Sequence, residues 1–234
     1  MSLAQLAKTL HNLCRGRGFV PAVDFSVTMH TLADNYRFNE IVSSMFLERE
    51  LVGFHSINSF FLDIEYDSFQ ISYHDRSLTT NINKWINYAG KCKVQYLYLY
   101  LSIHAINTWE PRRAHFPPNI LLCTTLVNLK LCHLSVDKNF PFTLRSLKTL
   151  LLDDMYFNLD QNFMFLLAGC PALKDLQVSH LYFGESVPFD FQLFESSSLK
   201  KLNRADITLY YCYFPMKALS NLEGMLIQLW KVRV

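Results

Sequence analysis

The chain has 234 residues, half of them apolar, with 22 Lys and Arg against 20 Asp and Glu. That excludes a disordered polyelectrolyte and leaves a chain long enough to bury its own core. A net charge of +2, with no basic run longer than Arg112-Arg113 or Lys200-Lys201, gives no field for a nucleic acid, and no apolar run approaches the ~20 residues of a membrane helix.

In chain order, Met1 to Gly18 is basic and partly apolar; it can form one short helix before Gly16 and Gly18 break it. Lys8, His11 and Asn12 interrupt what a signal peptide would need as an apolar core, so the expected compartment is cytoplasm or nucleus. Tyr36 to Glu50 sets Phe38, Ile41, Val42, Met45 and Phe46 on one helical face, with Asp34 or Asn35 as cap. Thr80 to Ala89 repeats the device with Ile82, Trp85, Ile86 and Ala89, and Gln161 to Ala168 forms a third helix. Gly90 and Gly169 stand where left-handed C-terminal caps belong.

Between and after these helices an apolar pattern recurs at positions 1, 4 and 6. It is plainest at Leu126/Leu129/Leu131, Leu147/Leu150/Leu152 and Leu173/Leu176/Val178. The same spacing is found at Ile57/Phe60/Leu62, Val94/Leu97/Leu99, Leu202/Ala205/Ile207 and Leu222/Met225/Ile227. A strand points alternate residues to opposite faces, so positions 4 and 6 face inward together, positions 3 and 5 outward, and position 1 enters the core from the preceding turn. A single such strand cannot bury its apolar face; stacked copies can. The expected fold is an α/β leucine-rich-repeat solenoid, right-handed, with parallel strands on the concave face near 57–62, 94–99, 126–131, 147–152, 173–178, 202–207 and 222–227, and helices on the convex face.

Few residues have the pattern of catalytic chemistry. Asp153-Asp154 reads as a solvated turn after a strand, and His133 and His180, each seven residues after a repeat leucine, as equivalent strand-exit positions. Cys123 and Cys170 precede repeat leucines and read as packing residues in close turns. The six cysteines are scattered without a CxxC pair, so free thiols are expected, and no catalytic, cofactor or metal-ligating residue is assigned. The outward positions of the strands offer a protein-binding surface instead: Tyr96, Tyr98 and Tyr100, then Asn128 and Lys130, Thr149 and Asp153, Asp175 and Gln177, Arg204 and Asp206. Three tyrosines on one outward face suit an interface. Equally, the neighbouring segment Ala105 to Pro118 could fold over them as a cover.

The order of these features resembles the plant F-box/FBD/leucine-rich-repeat proteins. Leu166-Leu167-Ala168-Gly169-Cys170-Pro171-Ala172-Leu173-Lys174-Asp175-Leu176 is similar to that family's "LLSGCPVLEDL" element. Thr125 to Leu131 resembles its "TLVSLKL" strand, and Ser146 to Leu150 its "SLKTLHL" strand. Trp85-Ile86-Asn87-Tyr88-Ala89 followed by Val94, Arg204 to Ile207 and Ala218 to Leu222 continue the match. Leu6 to Cys14 followed by Val20 to Phe25 is similar to the end of an F-box, with Leu10 and Cys14 where the family has tryptophan. The resemblance implies residues 1–18 as an F-box remnant, residues 19–234 as the repeat domain, and no room for an FBD region. It further implies a target-recognition role in a cullin-type ubiquitin ligase, with a target protein on the concave face. Because most of an F-box is missing, recruitment of the Skp adaptor by this chain alone is expected to be weak. The alternative is a stand-alone repeat scaffold, or a truncated gene product, with no ligase role.

Overall fold

The structure, a computed structural model, describes residues 22–51, 56–66, 76–103, 112–138, 140–185, 199–209 and 224–229. The expected F-box remnant at 1–18, residues 105–111 of the 105–118 segment, and Cys14, Cys212 and Leu222 lie outside the described residues. The chain divides between Cys123 and Thr124 into two compact units.

The first unit contains β1 (Ala22–Met29), α1 (Leu32–Leu51), β2 (Ser59–Tyr66), α2 (Arg76–Lys91), β3 (Tyr96–Ile103), β4 (Arg112–His115) and a short 3-10 helix (Pro118–Leu122). β1, β2 and β3 run parallel in register, Ala22 beside Ser59 beside Tyr96, and β4 pairs antiparallel with the end of β3. On one face Val23, Phe25, Val27, Met29, Phe60, Leu62, Ile64, Leu97, Leu99 and Leu101 are all buried. The two helices supply rings to that side. Phe38 of α1 meets Phe25 edge-on at 5.6 Å and Trp85 of α2 at 5.4 Å, and Phe46 lies 6.1 Å from Phe60.

The second unit contains β5 (Asn128–Cys132), β6 (Leu134–Val136), β7 (Thr149–Leu159), α3 (Asp160–Ala168), β8 (Asp175–Glu185), β9 (Arg204–Leu209) and β10 (Gly224–Leu229). β5, β7, β8, β9 and β10 are successive parallel neighbours, and β6 pairs with the far half of β7. Asn128, Thr149, Asp175, Arg204 and Gly224 form one cross-strand row.

Every strand after β1 that carries the repeat begins two residues beyond the leading apolar residue, as the template requires. Ile57, Val94, Leu126, Leu147, Leu173 and Leu202 are buried in the approach, each 2% exposed or less. One hydrogen-bond device recurs at that approach. The carbonyls of Asn58, Val127, Lys148 and Lys174 each accept two N–H groups from the next strand's start, Gln95 and Tyr96, Lys148 and Thr149, Lys174 and Asp175, Asn203 and Arg204, at 2.8–3.0 Å. A carbonyl with two lone pairs can satisfy both donors, and the shared acceptor locks neighbouring repeats in the same register.

β7 and β8 are longer than the six-residue template. His133, Asp154 and His180, equivalent residues in three successive repeats, all take a left-handed backbone with φ between 50 and 58°. Each is an extra residue that reverses the inward and outward alternation. Leu150 and Leu152 are followed inward by Met155 and Phe157, Leu129 and Leu131 by Leu134 and Val136, and Leu176 and Val178 by Leu181. Asp153-Asp154 is therefore no turn. It lies within β7, because the inserted residue allows the strand to continue on the correct face.

Two further sequence expectations change. The cap of α1 is Thr31: its Oγ1 accepts the Asp34 N–H at 3.1 Å while Asp34 Oδ2 accepts the Thr31 N–H at 3.0 Å, a reciprocal box that leaves Asn35 buried inside the helix. Gly169 is right-handed, φ −72°, and Gly90 is a residue of α2 without the positive φ expected of it. Both glycines answer to close approach instead. A Cβ at Gly90 would meet Cys123 Sγ at 2.9 Å, and one at Gly169 would overlap the backbone carbonyl of Phe142.

Candidate functional site

With one face of the strands buried, their outward positions form a second, partly exposed face in each unit. In the first unit it carries Tyr96, Tyr98 and Tyr100, each partly exposed. Beside them, on β2, Phe61 lies with its ring centroid 5.1 Å from that of Tyr96 and 6.2 Å from that of Tyr98. Asp24, exposed, and Asp63 and Glu65, partly exposed, lie on the same face by register, with the Thr28 hydroxyl donating to Glu65 Oε2 at 3.4 Å.

In the second unit the remaining expected residues other than Asp153 form, together with Leu151, two adjacent rows. Asn128, Thr149, Asp175 and Arg204 make one; Lys130, Leu151, Gln177 and Asp206 make the other. Each is exposed or partly exposed. The Arg204 Nε lies 3.3 Å from Asp175 Oδ1 across neighbouring strands, so positive and negative charge are partly matched within this face. Both groups are three-quarters to one-third exposed, and such a pair contributes little to stability.

At the inserted residues, within β7 and β8 and between β5 and β6, histidine and aspartate come together. His133 Nδ1 lies 2.6 Å from Asp154 Oδ2, and His180 Nδ1 lies 2.9 Å from Asp153 Oδ1. The Ser179 hydroxyl donates to that same Asp153 oxygen at 2.6 Å. This is not a nucleophile relay: the serine is bonded to the carboxylate and not to the imidazole, so the base that would take its proton is not positioned to do so. Among the described residues no group of three or more His, Cys, Asp or Glu side chains converges as a metal site.

Partial burial pushes the Asp153 carboxyl up, but hydrogen bonds from His180 and Ser179 and the coulombic pull of His180 and His133 outweigh it, and the group rests below its ordinary 3.8. A carboxyl depressed by folding binds fewer protons in the native than in the unfolded state. Its stabilisation is therefore complete above the unfolded value and lost as pH falls through the lower folded one. Replacing Asp153 with Asn should flatten the dependence of unfolding free energy on pH below about 4, measured by urea titration at stepped pH values. Equal slopes for the two proteins would refute the pairing.

Residues 82–209, more than half the chain, match the family model described as FBD-associated F-box protein At5g56370, LRR repeats. The chain belongs to this F-box leucine-rich-repeat family. Its relatives in Arabidopsis thaliana include FBD-associated F-box protein At4g13985, 26% identical over 77% of this chain and 37% of the relative. FBD-associated F-box protein At3g52670 is 29% identical over 80% of this chain and 40% of its own length, and F-box/FBD/LRR-repeat protein At4g00160 is 29% identical over 80% and 38%. The chain thus spans about two fifths of the length of these relatives.

In this F-box leucine-rich-repeat chain, the cysteines Cys92, Cys123, Cys132 and Cys170 are free thiols and buried. Burial pushes Cys123 up to about 11 and Cys170 up to about 12, so both remain protonated and act as packing atoms. The sequence pattern located the tyrosines but overlooked Phe61, Asp63 and Glu65 on the adjoining strand and the two His–Asp pairs. The signal was available: Asp154 stands seven residues after Leu147, as His133 stands after Leu126 and His180 after Leu173. No helix among the described residues is long and apolar enough to cross a membrane.

Proposed function

We propose that this chain is the target-recognition part of an F-box subunit of a cullin-type ubiquitin ligase. In this reading its repeats stack as a right-handed solenoid whose open strand face is concave and holds a target protein, in the cytoplasm or nucleus. The observation that carries it is the in-register outward face of a repeat-bearing sheet, with an aromatic strip of Phe61, Tyr96 and Tyr98 partly exposed on it. Large rigid rings with polar tips supply contact area at low entropic cost, which suits a protein interface. A non-enzymatic role agrees with thiols that burial keeps protonated and with an Asp153 carboxylate engaged by His180 and Ser179. Tyr100, Asn128, Lys130, Asp175, Gln177, Arg204 and Asp206 complete the proposed surface.

The test is capture from plant extract by the tagged chain, scored for enriched proteins and for Skp and cullin subunits. Replacing Tyr96 and Tyr98 together with Ala should reduce capture of the target at least tenfold while leaving the thermal unfolding midpoint within a few degrees. A double variant that captures as well as the parent would refute the role of this face. Tight Skp binding by the chain alone would correct the expectation of weak recruitment.

A further inference from the structure

We propose that the strand-start edge of the second unit holds an acidic segment of a protein partner, its carboxylates lying at Arg145, Lys148, Lys174, Lys200 and Lys201. The inference rests on the reading of the repeats as a protein-binding surface, and adds a further place of contact with its chemistry.

A recurring local device assembles this edge. Before the leading leucine of three successive repeats the chain makes a tight turn, closed by the N–H groups of Leu147, Leu173 and Leu202 donating to the carbonyls of Leu144, Cys170 and Leu199 at 3.0–3.1 Å. The central residues of these turns are Arg145-Ser146, Pro171-Ala172 and Lys200-Lys201, so two basic turns flank an uncharged one. Each leucine is buried, and the residue after it, Lys148, Lys174 or Asn203, is exposed. The shared-carbonyl bonds tie these residues to one another: the Lys174 N–H donates to the Lys148 carbonyl, and the Asn203 N–H to the Lys174 carbonyl, both at 2.8 Å. Neighbouring strands lie about 4.8 Å apart, so the backbones at Lys148 and Lys174 stand side by side between the two basic turns.

The charge of the edge is one-sided. Arg145, Lys148, Lys174, Lys200 and Lys201 are all exposed, and among the described residues the carboxylate at this edge is Asp175, which faces the Arg204 Nε at 3.3 Å. Counting also Glu195 and Glu223, which adjoin these segments in sequence and lie outside the described residues, six cations stand against three carboxylates. Other carboxylates of the unit lie further along the strands and are engaged there, Asp153 by His180 and Ser179 and Asp154 by His133. An anionic ligand is therefore drawn to the strand starts and not to their far ends. The two outward rows that border the edge, from Asn128 to Arg204 and from Lys130 to Asp206, carry amide, hydroxyl and charged groups and no aromatic ring, so the bases of a nucleic acid strand have nothing to stack on. The same amides can donate to and accept from peptide groups, which favours an acidic polypeptide.

The experiment titrates the full chain into a fluorescein-labelled dodecapeptide of alternating glutamate and serine, into its arginine–serine counterpart, and into a labelled single-stranded DNA dodecamer, by fluorescence anisotropy at low and moderate salt. The glutamate peptide should bind about tenfold more tightly than the arginine peptide, and salt should weaken it. The K148Q/K174Q double variant should lose about fivefold at low salt. The R37Q/K138Q variant, which removes the same charge from exposed positions on α1 and beyond β6, should change affinity less than about twofold. Should K148Q/K174Q lower the thermal unfolding midpoint, K200Q/K201Q on the neighbouring turn reads the same loss. Absence of glutamate-peptide binding, equal affinity for both peptides, tighter binding of the DNA than of the glutamate peptide, or equal effects of the two double variants would overturn the inference. If removing the lysines has no effect while the Tyr96 and Tyr98 variant still loses target capture, the partner-face reading stands and the acidic segment falls.

Discussion

Replacing Phe60 with Ala should destabilise the protein by about 3–5 kcal/mol, whereas the same change at its neighbour Phe61 should cost about 1 kcal/mol and act mainly on binding. The two residues are chemically identical and adjacent in sequence, and differ only in which face of β2 they occupy. Phe60 has no exposed surface. Its ring lies 6.1 Å from those of Phe25 and Phe46, and its backbone neighbours across the sheet are Val23 and Leu97. Truncation there removes a full ring from a closed core and leaves a cavity that two strands and a helix cannot collapse to fill. Phe61 is partly exposed among tyrosine rings, so water can take up much of the vacated space. Urea unfolding followed by far-UV circular dichroism gives both values. Because a one-residue slip exchanges every side chain between faces, equal losses at the two positions would mean that the strand alternation is assigned wrongly.

What could be read from the residues alone, and what could not, follows from the same alternation. The 1-4-6 spacing located strands because the residue types at those positions answer to one requirement, burial beside a parallel neighbour. Leu129, Leu131, Leu150, Leu152, Leu176 and Val178 are each 2% exposed or less. β1 carries the pattern too, in Val20, Val23 and Phe25, but Pro21 in the second position resembles a turn, and the stretch is legible only through its resemblance to the exit of an F-box. The extension past position 6 was visible as well, since Met155 and Phe157 repeat the spacing of three and two after Leu152. It requires a left-handed residue at Asp154, which a chain normally assigns to glycine or asparagine, and aspartate followed by no glycine gives no such cue. The cap of α1 lies three residues upstream of Asp34 because the helix begins at Leu32, before the apolar periodicity that starts at Phe38. On the candidate surface, strand alternation identified the tyrosines, while Phe61, Asp63 and Glu65 required knowing which strand lies beside them. Neighbour identity depends on sheet order, which spacing within one segment does not encode.

The two helix-end glycines separate conformational from steric need. Gly169→Ala should destabilise the protein by about 1–3 kcal/mol, and Gly90→Ala by less than about 1 kcal/mol. Gly169 has φ −72° and ψ −3°, which alanine adopts without strain, so any loss there must come from space. The space is filled by backbone. The built Cβ overlaps the carbonyl oxygen and carbon of Phe142 as well as its Cβ, and the Leu144 N–H is bonded to the Gly169 carbonyl at 2.9 Å. Relief would require moving the 142–144 segment and with it Leu144, which is 1% exposed and packs ahead of the repeat leucine Leu147. At Gly90 the obstacle is one sulfur atom, Cys123 Sγ at 2.9 Å, at the end of a side chain that can turn by a few tenths of an ångström. There the gain of about 1 kcal/mol from placing alanine instead of glycine within α2 offsets the contact. Thermal unfolding of both variants beside the parent measures the difference. A Gly169→Ala protein as stable as the parent would show that the α3 end and the Phe142 backbone are not held in contact, and would remove the steric reason for glycine at that position.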